Sequence, residues 1–333
     1  MQTILSSILV FGMLIFFHEL GHFIVAKLSD IKVNEFSLGL GPQLISMKLK
    51  ETHYSIRLLP FGGYVKMEGE DTDTSDPRAF NNKSALVRLG VILAGPLMNF
   101  ILAILLLGII GFYSGVPTRQ VTVTPGEPAE ISGIQDNDII HAIDGRKVGH
   151  WEEIVEIISG RYNEKISVTV IRDGKYIDYD VTTTVEPKTQ RGIIGIKSVM
   201  QKHSVLESIK YGYKKTVLIL KLILVGIYQV LTGKVKADVV GPVGLAHIVG
   251  EAAKIGVYQV LYIAAVISAN LGLFNLFPIP ALDGGRGIFL VFELLRGKPV
   301  EPEKEGLIHF IGFALLMFLM ILILFKDLRE LWF

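Results

Sequence analysis

The pentapeptide His18-Glu19-Leu20-Gly21-His22 lies inside an apolar run from Ile4 to Val25. A helix rises about 1.5 Å per residue, so this run is long enough to cross a hydrocarbon core of about 30 Å. Three ionisable groups at that depth are costly and call for a functional reason. Two histidines four apart on a helix lie about 40° apart around its axis, so both imidazoles point to one side. Neutral imidazole is a good zinc ligand, and two on one rigid helix begin a tetrahedral site. Glu19 lies on the same turn, in the general-base position of a zinc hydrolase. Residues 3–28 are therefore expected to be a membrane span and half of a metal site at once. No basic stretch precedes the run and no small-residue cleavage site precedes His18, so the segment is expected to be retained.

Composition supports a membrane protein. Half of the 333 residues are hydrophobic, and the mean hydropathy is +0.47. A net charge of +1 gives no field for nucleic acid, and no nucleic-acid partner is expected. There is no cysteine, so any zinc must be held by histidine and carboxylate.

Three more apolar runs, at 86–113, 257–277 and 307–325, bring the expected number of spans to about four. In the second, Gly90 and Ala94 are small residues four apart that permit close helix approach. Gly95-Pro96 should kink it, and Asn99 is expected to make an interhelical hydrogen bond. Residues 32–66 have period two: Ile45, Met47 and Leu49, then Tyr54, Ile56 and Leu58 beyond Glu51-Thr52. This predicts a membrane-associated β-hairpin. Its edge, with Met47 and Ile56 as candidate positions, would pair with an extended peptide near the metal. In 204–232, Lys210, Lys214 and Lys221 fall on one helical face and Val217, Leu220 and Leu224 on another, as in an interfacial amphipathic helix.

Residues 118–186 differ in kind. Val121-Thr122-Val123, Gly133-Ile134-Gln135-Asp136-Asn137-Asp138-Ile139-Ile140 and Ile143-Asp144-Gly145 precede an amphipathic helix at about 151–159. Two strands joined at Asp173-Gly174 follow. This soluble α+β module resembles a bacterial PDZ domain. The expected fold is a polytopic α-helical membrane protein with a membrane-associated hairpin and one inserted PDZ-like domain. Its parts are a membrane core at 1–117, the PDZ-like domain at 118–186, a linker with the interfacial helix at 187–256, and the rest of the core at 257–333.

A catalytic zinc site takes three protein ligands. Asp283 is the best candidate for the third. It follows a span and the prolines 278 and 280, and it precedes Gly284-Gly285, which permit close backbone approach. The competing reading makes Asp283 the N-cap of a helix from 284.

The HELGH motif, together with Asn275-Leu276-Phe277-Pro278 and Leu282-Asp283-Gly284, resembles the site-2 protease family of intramembrane zinc metalloproteases, in its RseP-like bacterial branch. Gly62-Gly63-Tyr64-Val65, Gly95-Pro96-Leu97-Met98-Asn99 and the inserted module extend the resemblance over nearly the whole chain. The resemblance implies Zn2+ held by His18, His22 and Asp283, catalysis by Glu19, and substrate binding by Asn275 and Pro278. It implies substrates that are single-pass membrane proteins, such as anti-sigma factors or remnant signal peptides, cut within the bilayer. With four spans, both termini and the module share one side of the cell membrane, expected to be the extracytoplasmic side. A silent membrane adaptor and a metal transporter are the rival classes. Glu19 speaks against the first, and ligands clustered at one depth against the second. The sequence assigns no oligomeric state.

Overall fold

The computed structural model describes residues 2–70, 74–187, 189–236 and 239–332. The chain divides into two compact units, 1–110 with 209–333, and 111–208.

Helix α1 (Gln2–Leu28) covers the first apolar run. Strands β1 (Val33–Leu49) and β2 (Thr52–Met67) form the expected hairpin, but it is curled rather than flat. At the tip, 45–49 pair with 52–56. Nearer the base, 35–38 are paired on both sides, with 63–66 and with 53–56. Gly39, Gly41 and Gly62 have φ of 86°, 84° and 76°, which lets the strands fold back on themselves at little steric cost. Phe36 stacks edge-on against Phe16 and Phe23 of α1, which fixes the hairpin beside the HELGH turn. Helix α2 (Ala85–Ser114) runs through Pro96.

The second unit starts from β3 (Val116–Val123) and continues through α3 (Pro128–Ile131), β4 (Ile139–Ile143), β5 (Arg146–Lys147) and α4 (Trp151–Ser159). Strands β6 (Lys165–Arg172), β7 (Lys175–Thr182), β8 (Thr184–Val185), β9 (Gly192–Ile193) and β10 (Ile196–Gln201) complete it. The main sheet has the order β10-β3-β4-β6-β7, with β5 on β4. Alternation in β6 buries Ile166, Val168 and Val170 beneath Ile154 and Ile158 of α4. Asp173 and Gly174 turn β6 into β7 with φ of 50° and 76°, as a two-residue hairpin loop requires. Strand β10 lies beyond the sequence boundary at 186, yet it pairs with β3 through Ile196 and Val123. It lacks a clean alternation of buried and exposed positions, which is why its pattern is weak.

Helices α5 (Val205–Leu231), α6 (Pro242–Ile255), α7 (Val257–Asn275), α8 (Asp283–Arg296) and α9 (Pro302–Trp332) follow. Among the described residues, four helical stretches are long and apolar enough to cross a membrane: 3–28, 85–114, 257–275 and 303–329. Helix α5 is not among them. It packs closely on α2, where a Cβ on Gly212 would lie 2.8 Å from the Gly108 amide. Its Ile219 joins Leu102 and Leu106 of α2, Leu14 of α1 and Ala265 of α7 in the membrane-unit core. Helix α6, in a stretch expected to be linker, packs on α1: a Cβ on Gly250 would meet Thr3. Its N-terminus is held by Asp327 of α9, which is 4% exposed and accepts the Gly241 and Gly244 amides at 3.1 and 2.8 Å. A carboxylate there satisfies otherwise unpaired N–H groups and complements the helix dipole.

Candidate metal centre and active site

The site forms where α1 and α2 touch backbone to backbone. A Cβ on Gly21 would lie 2.7 Å from the Ala94 carbonyl carbon. A Cβ on Gly95 would overlap the His22 imidazole, 2.6 Å from its Cε1, and would lie 2.9 Å from Cε1 of His18. Both imidazoles therefore lie directly on the α2 backbone. Gly90, the small residue expected at the helix contact, faces open space instead. Helical phase explains the difference: Gly95 is five residues on and faces another way.

Asp283 arrives from the other end of the chain. The turn after α7 places its carbonyls against Gly284 and Gly285, where a Cβ would lie 2.5 Å from the Leu276 carbonyl carbon or 2.9 Å from that of Ile279. Ala281 takes a left-handed φ of 74°, and its N–H is accepted by Nδ1 of His309 on α9 at 3.0 Å. Leu282 is the N-cap of α8, so Asp283 is the first helical residue and not the cap. Its Oδ2 is buried without a hydrogen-bond partner. It faces Nε2 of His18 at 3.2 Å and Nε2 of His22 at 3.5 Å, and the two Nε2 atoms are 3.4 Å apart.

These separations suit a metal. Zinc bonds of about 2.0–2.1 Å in a tetrahedron put neighbouring ligand atoms about 3.3 Å apart. Among the described residues, His18, His22 and Asp283 are the one set of three such donors converging within 4.8 Å. Nδ1 of His22 donates to the Val91 carbonyl at 2.8 Å, which leaves Nε2 with a free lone pair in the neutral ring.

Glu19 lines the same cavity, of about 670 Å³, as the three donors. Gly63 of the hairpin presses on it: a Cβ there would lie 3.0 Å from Glu19 Cγ and 2.8 Å from the Ser37 carbonyl. Residues 63–67 also line the cavity, so the strand segment beside the site is this one. Met47 is paired with Tyr54 near the hairpin tip, and neither Met47 nor Ile56 lines the cavity. Apart from Ile92 of α2, the rest of the wall is charged. Arg57 pairs with Glu35 at 2.7 Å, and Arg286 of α8 pairs with Glu70. Burial pushes the Glu35 carboxyl up, but hydrogen bonds with Arg57, Ser55 and Tyr64 outweigh it and hold its pKa down to about 2. That carboxylate stays charged at any working pH.

Asn275 ends α7 half-buried, and Pro278 is exposed in the turn toward Asp283. Neither lines the cavity. Val91 and the charged wall carry no local signal in the sequence. Gly95 carried one, because a glycine beside a proline in a long helix has two reasons to be there. Gly95→Ala is expected to weaken zinc binding by about 10- to 100-fold, the range seen when groups supporting a ligand are lost. Zinc competition titration on purified protein checks this. Gly90→Ala, in open space, is the control.

With the geometry established, comparison with known proteins decides the family. A sequence profile for peptidase family M50 matches residues 6–319. The chain belongs to peptidase family M50. A Clostridium acetobutylicum protein whose name includes zinc metalloprotease is 42% identical, over 98% of this chain and 97% of its own. The zinc metalloprotease RasP of Geobacillus kaustophilus is 35% identical, over 99% of this chain and 98% of its own. The Bacillus subtilis protein named regulator of sigma-W protease RasP is 33% identical, over 99% of both chains. Among solved structures, the PDZ domain of an SdrC-like protein from Listeria monocytogenes is similar over 26% of this chain and 90% of its own, at 24% identity and a TM-score of 0.23. The resemblance to site-2 proteases is thus borne out. The M50 chain is a zinc metalloendopeptidase of that type and a multi-pass membrane protein, and Zn2+ is its cofactor.

Proposed function

We propose that this M50 protease cleaves single-pass membrane proteins within their transmembrane segments, with His18, His22 and Asp283 as zinc ligands and Glu19 as general base. The observation that carries the reading is the convergence of three donor atoms and Glu19 on one cavity against the apolar helix α1. When bound, zinc supplies a Lewis acid that polarises a carbonyl oxygen and makes water acidic near neutral pH. Glu19 takes the proton of the attacking water and returns it to the leaving amine. The charged wall formed by Glu35, Arg57, Glu70 and Arg286 keeps the cavity wet, so water reaches an otherwise apolar depth.

A substrate helix hides its carbonyls in its own hydrogen bonds and must unwind to be cut. Unwound backbone in lipid leaves polar groups unpaired, at several kcal/mol each. The outer segment 63–67, lining the cavity, is the strand that would replace those bonds. Asn275 and Pro278, on the turn leading to Asp283, would then act from outside the cavity wall, on the incoming chain. Anti-sigma factors and remnant signal peptides are the substrate classes that this chemistry suits. All four apolar helices cross the bilayer in this reading, and the hairpin dips into it. The PDZ-like unit and both termini then lie on the extracytoplasmic side. The chain has no native cysteine. A cysteine introduced at exposed Tyr176 should therefore be labelled in intact cells by an impermeant maleimide, and protection until lysis would reverse the assignment.

The function itself is tested with purified enzyme in liposomes and a single-span substrate whose ectodomain has been trimmed. Mass spectrometry should place the cut inside the apolar segment, and a zinc chelator should abolish it. Cuts confined to the substrate's soluble flanks would overturn the reading.

A further inference from the structure

Asn99 is a polar side chain at membrane depth, 1% exposed, and the mechanism above gives it no task. Its backbone is anchored, because Ser268 of α7 donates to the Asn99 carbonyl at 2.8 Å. Its side chain points at α1, with Nδ2 3.3 Å from Nδ1 of His18. Its Oδ1 is buried without a partner.

We propose that Asn99 is the positioning residue for His18: its side-chain oxygen accepts the Nδ1–H, which keeps Nε2 bare and aimed at Asp283 and His22. The inference rests on the metal centre proposed above and deepens it. His18 faces Asp283 and His22 through Nε2, so Nε2 is the atom that would bind metal. A neutral imidazole has one N–H, and ligation through Nε2 puts that proton on Nδ1. An amide NH2 opposite an imidazole N–H sets two donors against each other. A half-turn of the amide exchanges its oxygen and nitrogen without moving another atom. The half-turn puts the unused acceptor on the imidazole proton.

The same device already serves the second histidine. Nδ1 of His22 donates to the Val91 carbonyl at 2.8 Å. Helix α2 therefore presents an oxygen to the rear nitrogen of each ligand, from the backbone at Val91 and from a side chain at Asn99. Such rear hydrogen bonds fix the tautomer, orient the ring and raise its basicity toward the metal. Only the Asn99 acceptor can be removed by substitution.

The test compares Asn99→Leu with Asn99→Asp, each purified in detergent, by zinc competition titration and by thermal unfolding of the zinc-free form. Leucine has a similar shape and no acceptor. It is expected to weaken zinc binding by about 10- to 100-fold. Aspartate has acceptors only, and it should hold zinc within about three-fold of wild type, as carboxylate–histidine–zinc triads do. Unchanged zinc affinity in Asn99→Leu overturns the proposal, as does Asn99→Asp being as damaging as Asn99→Leu, the pattern of a donor role. If neither variant folds, the 15N histidine spectrum of the zinc-loaded wild type decides: His18 must show a protonated Nδ1, and a bare or metal-bound Nδ1 overturns it. Failure of the metal centre is distinguishable, because His22→Ala would then leave zinc binding unchanged.

Discussion

Glu19→Gln is expected to keep zinc at wild-type stoichiometry while slowing proteolysis by roughly 10²- to 10⁴-fold, the range a positioned general base contributes. The donor atoms that converge belong to His18, His22 and Asp283, and glutamine at 19 removes none of them. Glutamine also keeps the shape that Gly63 packs against. What it loses is a carboxylate able to take a proton from water and return it to the leaving amine. Bound zinc is measured by elemental analysis, and initial rates are measured on the trimmed single-span substrate. A variant that cuts at the wild-type rate removes Glu19 from the mechanism. A variant that also loses zinc makes Glu19 a ligand or a structural support.

The sequence made the apolar helices legible because a membrane imposes a length that few other constraints imitate. The hairpin was legible from period two, but its curl was not. Gly39, Gly41 and Gly62 signal turning points, yet which segments become neighbours depends on pairings 15 to 30 residues apart, such as Phe36 with both Tyr54 and Val65. That is why the strand beside the site is 63–67 rather than the tip. Helix α6 is 14 residues long, too short to read as a span, and it opens at Gly241-Pro242, which in the sequence looks like a break. Its order comes from α1 beneath it and from Asp327, 83 residues away from Gly244. The motif HELGH announced two donors, since their spacing alone puts them on one side of a helix. The third donor needed the prolines and glycines around Asp283. The supporting atoms on α2 were the least legible: the Val91 carbonyl belongs to the backbone, and an asparagine in a span has many uses.

Asp283→Ala should differ from the Glu19 change in losing metal and activity together. Groups that merely support a ligand cost about 10- to 100-fold in metal affinity when removed, so loss of the ligand itself should exceed roughly 100-fold. The rival role for Asp283 is to start α8. Leu282, however, occupies the N-cap, and the Asp283 carboxylate points back at two imidazoles. Any helix-start contribution is limited to the dipole interaction, on the order of 0.3–1 kcal/mol. Asp283→Asn separates the two roles. Asparagine keeps the size of the side chain and a hydrogen-bonding oxygen at the helix start, but it loses the anionic charge and is a poor zinc ligand. Its zinc-free form should unfold within about 1 kcal/mol of the wild type, the dipole interaction it gives up, yet it should bind zinc as weakly as the alanine variant. Thermal unfolding of the zinc-free forms checks the first half, and competition titration checks the second. Tight zinc binding by Asp283→Asn would return Asp283 to a helix-start role and leave His18 and His22 in search of another partner. The next carboxylate on the cavity wall is Glu19, so the same result would also reassign the residue taken here as the base.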